Sequence, residues 1–179
     1  MPMIDPASVK VTYGPNANRA VVPPAAEAVV RDLIARSGGS ACVITSTMRD
    51  APNQARVMFD NLRATSVVRQ MALYGPAGQQ VIQVYDASNR AGKSADQIRA
   101  DMTAKIIAIG ASNVSRHCGD PAKLCVVDIA PNSIPDPDRF LEEIIKDPRI
   151  SAHFEPPKDP AFHLEIPVVT PAAVARPMV

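Results

Sequence analysis

The chain carries almost no net charge: 19 Lys and Arg stand against 18 Asp and Glu. Without a strong positive field it does not gather polyanions or anionic lipid, so nucleic acid is not an expected partner. It has no apolar run of about 18 residues, which leaves no candidate for a membrane-spanning helix. Its first residues, Met1-Pro2-Met3-Ile4-Asp5-Pro6, lack the basic and apolar regions of an export signal. If its substrate lies outside the cytoplasm, another system is expected to deliver it. There is no glycine-rich phosphate loop, no internal repeat and no low-complexity block, and His and Cys occur only three times each. What is present is the composition of an ordinary globular core, 46% hydrophobic and 21% charged, with 18 Pro to punctuate its loops. A chain of 179 residues suits one core, so a single monomeric domain is expected over 1–169, followed by a loose Pro/Ala tail over 170–179.

Periodicity sorts the chain into a helical first part and a strand-rich second part. Pro23 and Pro24 precede apolar residues at Ala28, Val29, Leu33 and Ile34, and Gly38-Gly39 closes the stretch, the signature of an amphipathic helix with a glycine stop. The β-branched run 41–44 predicts a buried strand that ends in a polar loop. Apolar residues recur at helical spacing over 52–74, giving the longest helix candidate, with Gly75-Pro76 ending it. The pattern over 79–85 suits strand or helix equally. Ser94 caps a helix over 94–109. Beyond Gly110, residues 113–117, 124–129, 150–154 and 161–169 read as short strands, with one helix near 136–146. Helices followed by a small antiparallel sheet make an α+β fold.

The chemistry gathers in that second part. In a strand, side chains alternate between faces, so His163 and Glu165 project together while Phe162, Leu164 and Ile166 enter the core. If 115–118 pairs antiparallel with 126–129, placing His117 opposite Asp128, those two also share a face. His117, Asp128 and His163 then supply the three nitrogen and oxygen ligands of a catalytic Zn2+, leaving one position open.

Around these residues the chain resembles a family: the zinc D-alanyl-D-alanine carboxypeptidases and L-alanyl-D-glutamate endopeptidases of bacteria and phages, phage endolysins in particular. Ser115, His117 and Asp128 correspond to its Ser-x-His-x-x-Gly-x-Ala-x-Asp motif. Asp159, His163, Leu164 and Glu165 match its second, an acid shortly before a His that is followed by an apolar residue and Glu. Ser46, Met48 and Arg49, followed by Asn53 and Gln54, resemble its Ser-x-Tyr-Arg loop. The likeness runs from about residue 41 to 166. It departs from the motifs in a longer stretch between His117 and Asp128, in Met48 where Tyr is usual, and in Asp159, which stands one position early because Pro160 occupies the acid's place. The resemblance implies a D-Ala-D-Ala peptidase/hedgehog-like fold, bound zinc, and cleavage of a D-Ala-D-Ala or L-Ala-D-Glu bond in peptidoglycan, hence lysis of cell wall. It also implies substrate contacts from Arg49, Gln54 and Ser115.

Each assignment has a plainer counterpart. Arg49 is either a surface cation or a fork for a substrate carboxylate or developing oxyanion, and Gln54 is either a helix-surface amide or a group that polarises substrate. The general base is Glu165, whose direction the strand sets, or Asp159 in its Pro-rich loop. His153 matches no ligand position and reads as structural or rim-lining. Cys42 reads as a small buried hydrophobe, whereas Cys118 and Cys125 are either inert thiols or a disulfide across the inserted loop. Two functions compete with the peptidase: a noncatalytic cell-wall-binding module on the same fold, and a metal hydrolase of another small peptide.

Overall fold

The computed structural model describes residues 4–168, so the expected tail over 170–179 lies outside the described residues. The fold is α+β, as the residue pattern predicts, with a five-stranded mixed sheet. Strand β1 (Lys10–Asn16) leads through α1 (Pro24–Arg36) to β2 (Ala41–Ser46). Five helices follow: α2 (Ala51–Ala64), α3 (Val67–Leu73), α4 (Pro76–Arg90), α5 (Ala95–Ile109) and the single-turn α6 (Ala111–Val114). The chain then returns as β3 (Leu124–Ile129), α7 (Pro137–Lys146), β4 (Ala152–Phe154) and β5 (Phe162–Pro167). The strands lie in the order β1-β2-β3-β5-β4, with β1 parallel to β2 and the remaining pairs antiparallel.

Local chemistry sets most boundaries. Pro24 opens α1, and Gly38 ends its last turn with φ 85°, a left-handed conformation that costs glycine little. Asp50 caps α2 by accepting from the Asn53 amide, Asp136 caps α7 through Arg139, and Ser94 with Gln97 forms a capping box on α5.

Three expectations are corrected, and the open assignment of residues 79–85 is settled. The sheet is mixed rather than antiparallel, and two of its strands precede the helical block; β1 does not show in the residue pattern because exposed residues at a sheet edge blur its alternation. The long helix over 52–74 is two helices, since Thr65 leaves helical conformation and Ser66 caps a new start at the Arg69 amide. Residues 79–85 belong to helix α4, opened by Pro76. Residues 113–117 form no strand: they are the end of α6 and the start of a 3-10 turn, Arg116–Cys118.

Two apolar clusters flank the sheet. Alternate residues of β3 and β5 (Cys125, Val127, Ile129; Phe162, Leu164, Ile166) pack with Leu33 of α1 and Phe140 of α7. A separate cluster joins α2, α4 and α5 through Met58, Ile82 and Met102. The polar face of β3 and β5 is left between the two, open to a cleft of about 730 Å3 whose other wall includes Asn61 of α2 and Gln70 of α3. Among the described residues no helix is long and apolar enough to cross a membrane.

Candidate metal centre

Asp128 and His163 are direct partners in the antiparallel ladder of β3 and β5, so their side chains leave the sheet side by side on its polar face. His163 Nδ1 lies 2.9 Å from Asp128 Oδ1. His117 arrives by a different route than expected. It sits in the 3-10 turn, where the Ser115 hydroxyl accepts from the His117 amide at 3.3 Å and the His117 carbonyl accepts from the Arg49 amide at 2.8 Å. The expected hairpin is therefore corrected: β3 pairs with β5 and β2, and the residues between His117 and Asp128 form the connection, which gives the longer spacing its physical place. The ligand set itself assembles. His117 Nε2 lies 3.0 Å from Asp128 Oδ2, and donor atoms of His117, Asp128 and His163 all lie within 4.8 Å of one another.

Hydrogen bonding shows why this cluster suits a cation. His117 Nδ1 is 3.0 Å from the carbonyl of Thr47, which can only accept, so that nitrogen carries the proton. In the neutral ring the other nitrogen then turns a lone pair toward the Asp128 carboxylate. Lone pairs set against a carboxylate at hydrogen-bond distance repel, and only extra protons or a metal ion between them relieves this. His163 differs: its inner Nδ1 is bonded to Asp128, while its outer Nε2 is buried without a hydrogen-bond partner among the described residues, with Glu165 Oε1 3.6 Å away. An outer nitrogen held by a backbone carbonyl, as at His117, is how proteins orient histidine ligands. Neighbouring donors around tetrahedral zinc stand roughly 3.3 Å apart, between the two close pairs and the 4.8 Å within which all three donors lie, so holding zinc requires the close pairs to part slightly and the wider separation to close.

The electrostatics agree. Burial opposes ionisation of Asp128, but the two imidazoles outweigh it and hold the carboxyl well below its usual range. Burial likewise opposes protonation of His163, yet the bond to Asp128 raises its pKa. The rings of His117 and His163 meet edge to face with centroids 5.1 Å apart, and Phe154 walls the other side of His163.

The remaining predicted residues divide by what they touch. Arg49 lines the cleft, and its Nε and Nη1 are buried without a hydrogen-bond partner among the described residues. Burial lowers its pKa and the Asp128 charge opposes the change; this is not a surface cation. Asp159 lines the same cleft, accepts from the Ala161 amide at 2.9 Å, and has its pKa raised by burial. Glu165 is taken up otherwise: Arg116 grips it with Nε at 2.9 Å and Nη2 at 2.7 Å, which lowers its pKa. Gln54 is not a helix-surface amide, being only 1% exposed. Ser115 borders the cleft and holds the His117 turn. His153 stands on edge strand β4, 3.7 Å from Glu155 and away from the cluster. Cys42, Cys118 and Cys125 are free thiols, and burial pushes Cys118 and Cys125 up to about 11.

Three contributors escaped sequence reasoning. Thr47 acts through a backbone carbonyl, which any residue supplies, so nothing in its identity marks it. Arg116 adjoins His117 but finds Glu165 only across the sheet. Tyr74 reads as the end of a helix and yet lines the cleft. No protein-family model, curated protein or solved structure matches the chain.

Proposed function

We propose that the chain is a zinc peptidase that cuts the stem peptide of peptidoglycan at a D-Ala-D-Ala or L-Ala-D-Glu bond. The observation that carries the metal reading is the convergence of His117 Nε2, Asp128 and His163 Nδ1, with the outer nitrogen of His117 held by the Thr47 carbonyl. The substrate class follows from the motif resemblance, and the cleft is compatible with it: Arg49 and Lys158 offer cations to a peptide that carries carboxylates.

When bound, zinc supplies a Lewis acid and lowers the pKa of water. The chain's own residues do the rest. Arg49 offers buried, unpartnered N–H groups to the carbonyl oxygen as it gains negative charge. Asp159 takes a proton from the water that adds to the carbonyl carbon and delivers it to the departing amine as the C–N bond breaks. Its raised pKa suits both transfers. Glu165, paired with Arg116, stands 3.6 Å from the outer nitrogen of His163 instead. A free carboxylate and a free guanidinium facing one cleft favour this reading over a noncatalytic wall-binding module, which needs neither.

The test pairs metal analysis with mass spectrometry of digested peptidoglycan. About one zinc per chain is expected, lost in His117→Ala and His163→Ala, with new peptide termini identifying the bond. Full zinc occupancy in both variants refutes the ligand assignment. Bound zinc with no new termini, but cleavage of another small peptide or amide, replaces the substrate class.

A further inference from the structure

Resting on the peptidase reading above, we propose that Tyr74 is a catalytic residue whose hydroxyl donates, beside Arg49, to the scissile carbonyl oxygen as charge develops there. Three observations point to it. Tyr74 ends α3 and lines the cleft that exposes His117, Asp128 and His163.

The second is a hydrogen-bond direction. The Cys118 thiol donates to Gln54 Oε1 across 3.8 Å, which turns the Gln54 amide nitrogen to Tyr74, 3.4 Å from its hydroxyl oxygen. The Tyr74 oxygen therefore accepts, and its own proton remains to be donated. Arg49, the charged neighbour of Tyr74, has no acceptor to offer. No acceptor for the hydroxyl occurs among the described residues, so the proton is available to a ligand in the cleft. Burial raises the pKa of Tyr74 and keeps the hydroxyl protonated at neutral pH, with Arg49 pulling the other way.

The third is Gly78, buried inside α4. A Cβ there would stand 2.4 Å from Tyr74 Cδ1 and 2.8 Å from its Cβ, near the root of the side chain where it cannot swing aside. Gly78 is the third residue of α4, and the absence of a side chain there admits the ring. Gln54 and Gly78 are thus positioning residues: one orients the hydroxyl, the other seats the ring. During the reaction the hydroxyl keeps its proton and shares it with the oxygen that becomes negative, so no proton or electron is transferred by Tyr74.

The experiment compares the zinc-loaded parent, Tyr74→Phe and Gly78→Ala on a synthetic stem pentapeptide and on a phosphinate analogue of the bond the parent cuts. Tyr74→Phe retains the ring and the zinc. It is expected to lower kcat about a hundredfold, the usual effect of losing one oxyanion donor, with KM within threefold. Phosphinate affinity should fall by a similar factor while affinity for uncleaved peptide stays level. Gly78→Ala should shift kcat and phosphinate affinity in the same direction at unchanged zinc content. If Tyr74→Phe keeps kcat and phosphinate affinity within threefold of the parent, or changes KM alone, the assignment of Tyr74 is overturned. A Gly78→Ala enzyme with parental kcat overturns the seating role. A parent that holds zinc but cuts no stem peptide refutes the substrate class first, and the role of Tyr74 with it.

Discussion

Replacing Glu165 with Gln separates the two carboxylates that compete for the role of base. Glu165 is gripped by two charge-assisted hydrogen bonds from Arg116, and its Oε1 lies 3.6 Å from the outer nitrogen of His163. The amide keeps the shape but removes the negative charge that favours a proton on His163 Nε2 and a lone pair on Nδ1. Loss of such an outer partner typically costs 10- to 100-fold in metal affinity, or about 1.4–2.7 kcal/mol. The Arg116 side chain is 59% exposed, so water takes over its solvation and the fold should lose little. Zinc affinity is read by competition with a chromophoric chelator, and kcat at saturating zinc is read separately. Glu165→Gln should bind zinc 10- to 100-fold more weakly and recover most of its kcat when metal is saturating. Asp159→Asn should show the opposite pattern: parental zinc affinity and a loss of at least about a hundredfold in kcat. If Glu165→Gln binds zinc like the parent yet loses a hundredfold in rate, while Asp159→Asn keeps its rate, Glu165 is the base and Asp159 is not.

Other expected outcomes are independent of that one. Arg49→Lys should keep its zinc and lose at least tenfold in kcat/KM, because an ammonium cannot reproduce the planar fork; activity within twofold of the parent would remove Arg49 from the mechanism. Asp147, held down to about 2 chiefly by hydrogen bonds from Arg149, stabilises the fold above its unfolded pKa of about 3.9 and loses that contribution as pH falls toward 2. Asp147→Asn should therefore destabilise the metal-free protein by roughly 1–3 kcal/mol at neutral pH and flatten its acid denaturation curve between about pH 4 and 2, read by circular dichroism. Leu33→Ala empties a fully buried site between α1 and the sheet and should cost about 2–5 kcal/mol in urea unfolding; a loss below 1 kcal/mol would mean that this layer does not carry the core.

Short-range chemistry explains what the residues alone determined. The Ser94–Gln97 capping box, the Pro24 start and Gly38 stop of α1, and the Asp136 cap of α7 act within one helical turn, so they are readable without the rest of the molecule. The alternation in β5 is equally local: it sets His163 and Glu165 on one face and Phe162, Leu164 and Ile166 on the other, whatever the partner strand. With only three His in the chain, His117, Asp128 and His163 stand out as a candidate cluster, although the hairpin expected to join the first two does not form. Pairing is different, because a strand's neighbour and register depend on loop closure and on burying one face against distant helices. Residues 113–117 have strand-like composition, but the turn that caps through Ser115 and ties His117 to the Arg49 amide prevails, and the ladder goes to β5 instead. The same long-range packing separates Glu165 from Asp159: Arg116, 49 residues away in sequence, closes on the first and leaves the second facing the cleft. Burial of Gln54 against Tyr74 and Cys118, and the bond from His117 to the Thr47 carbonyl, likewise exist only once the helices meet the sheet.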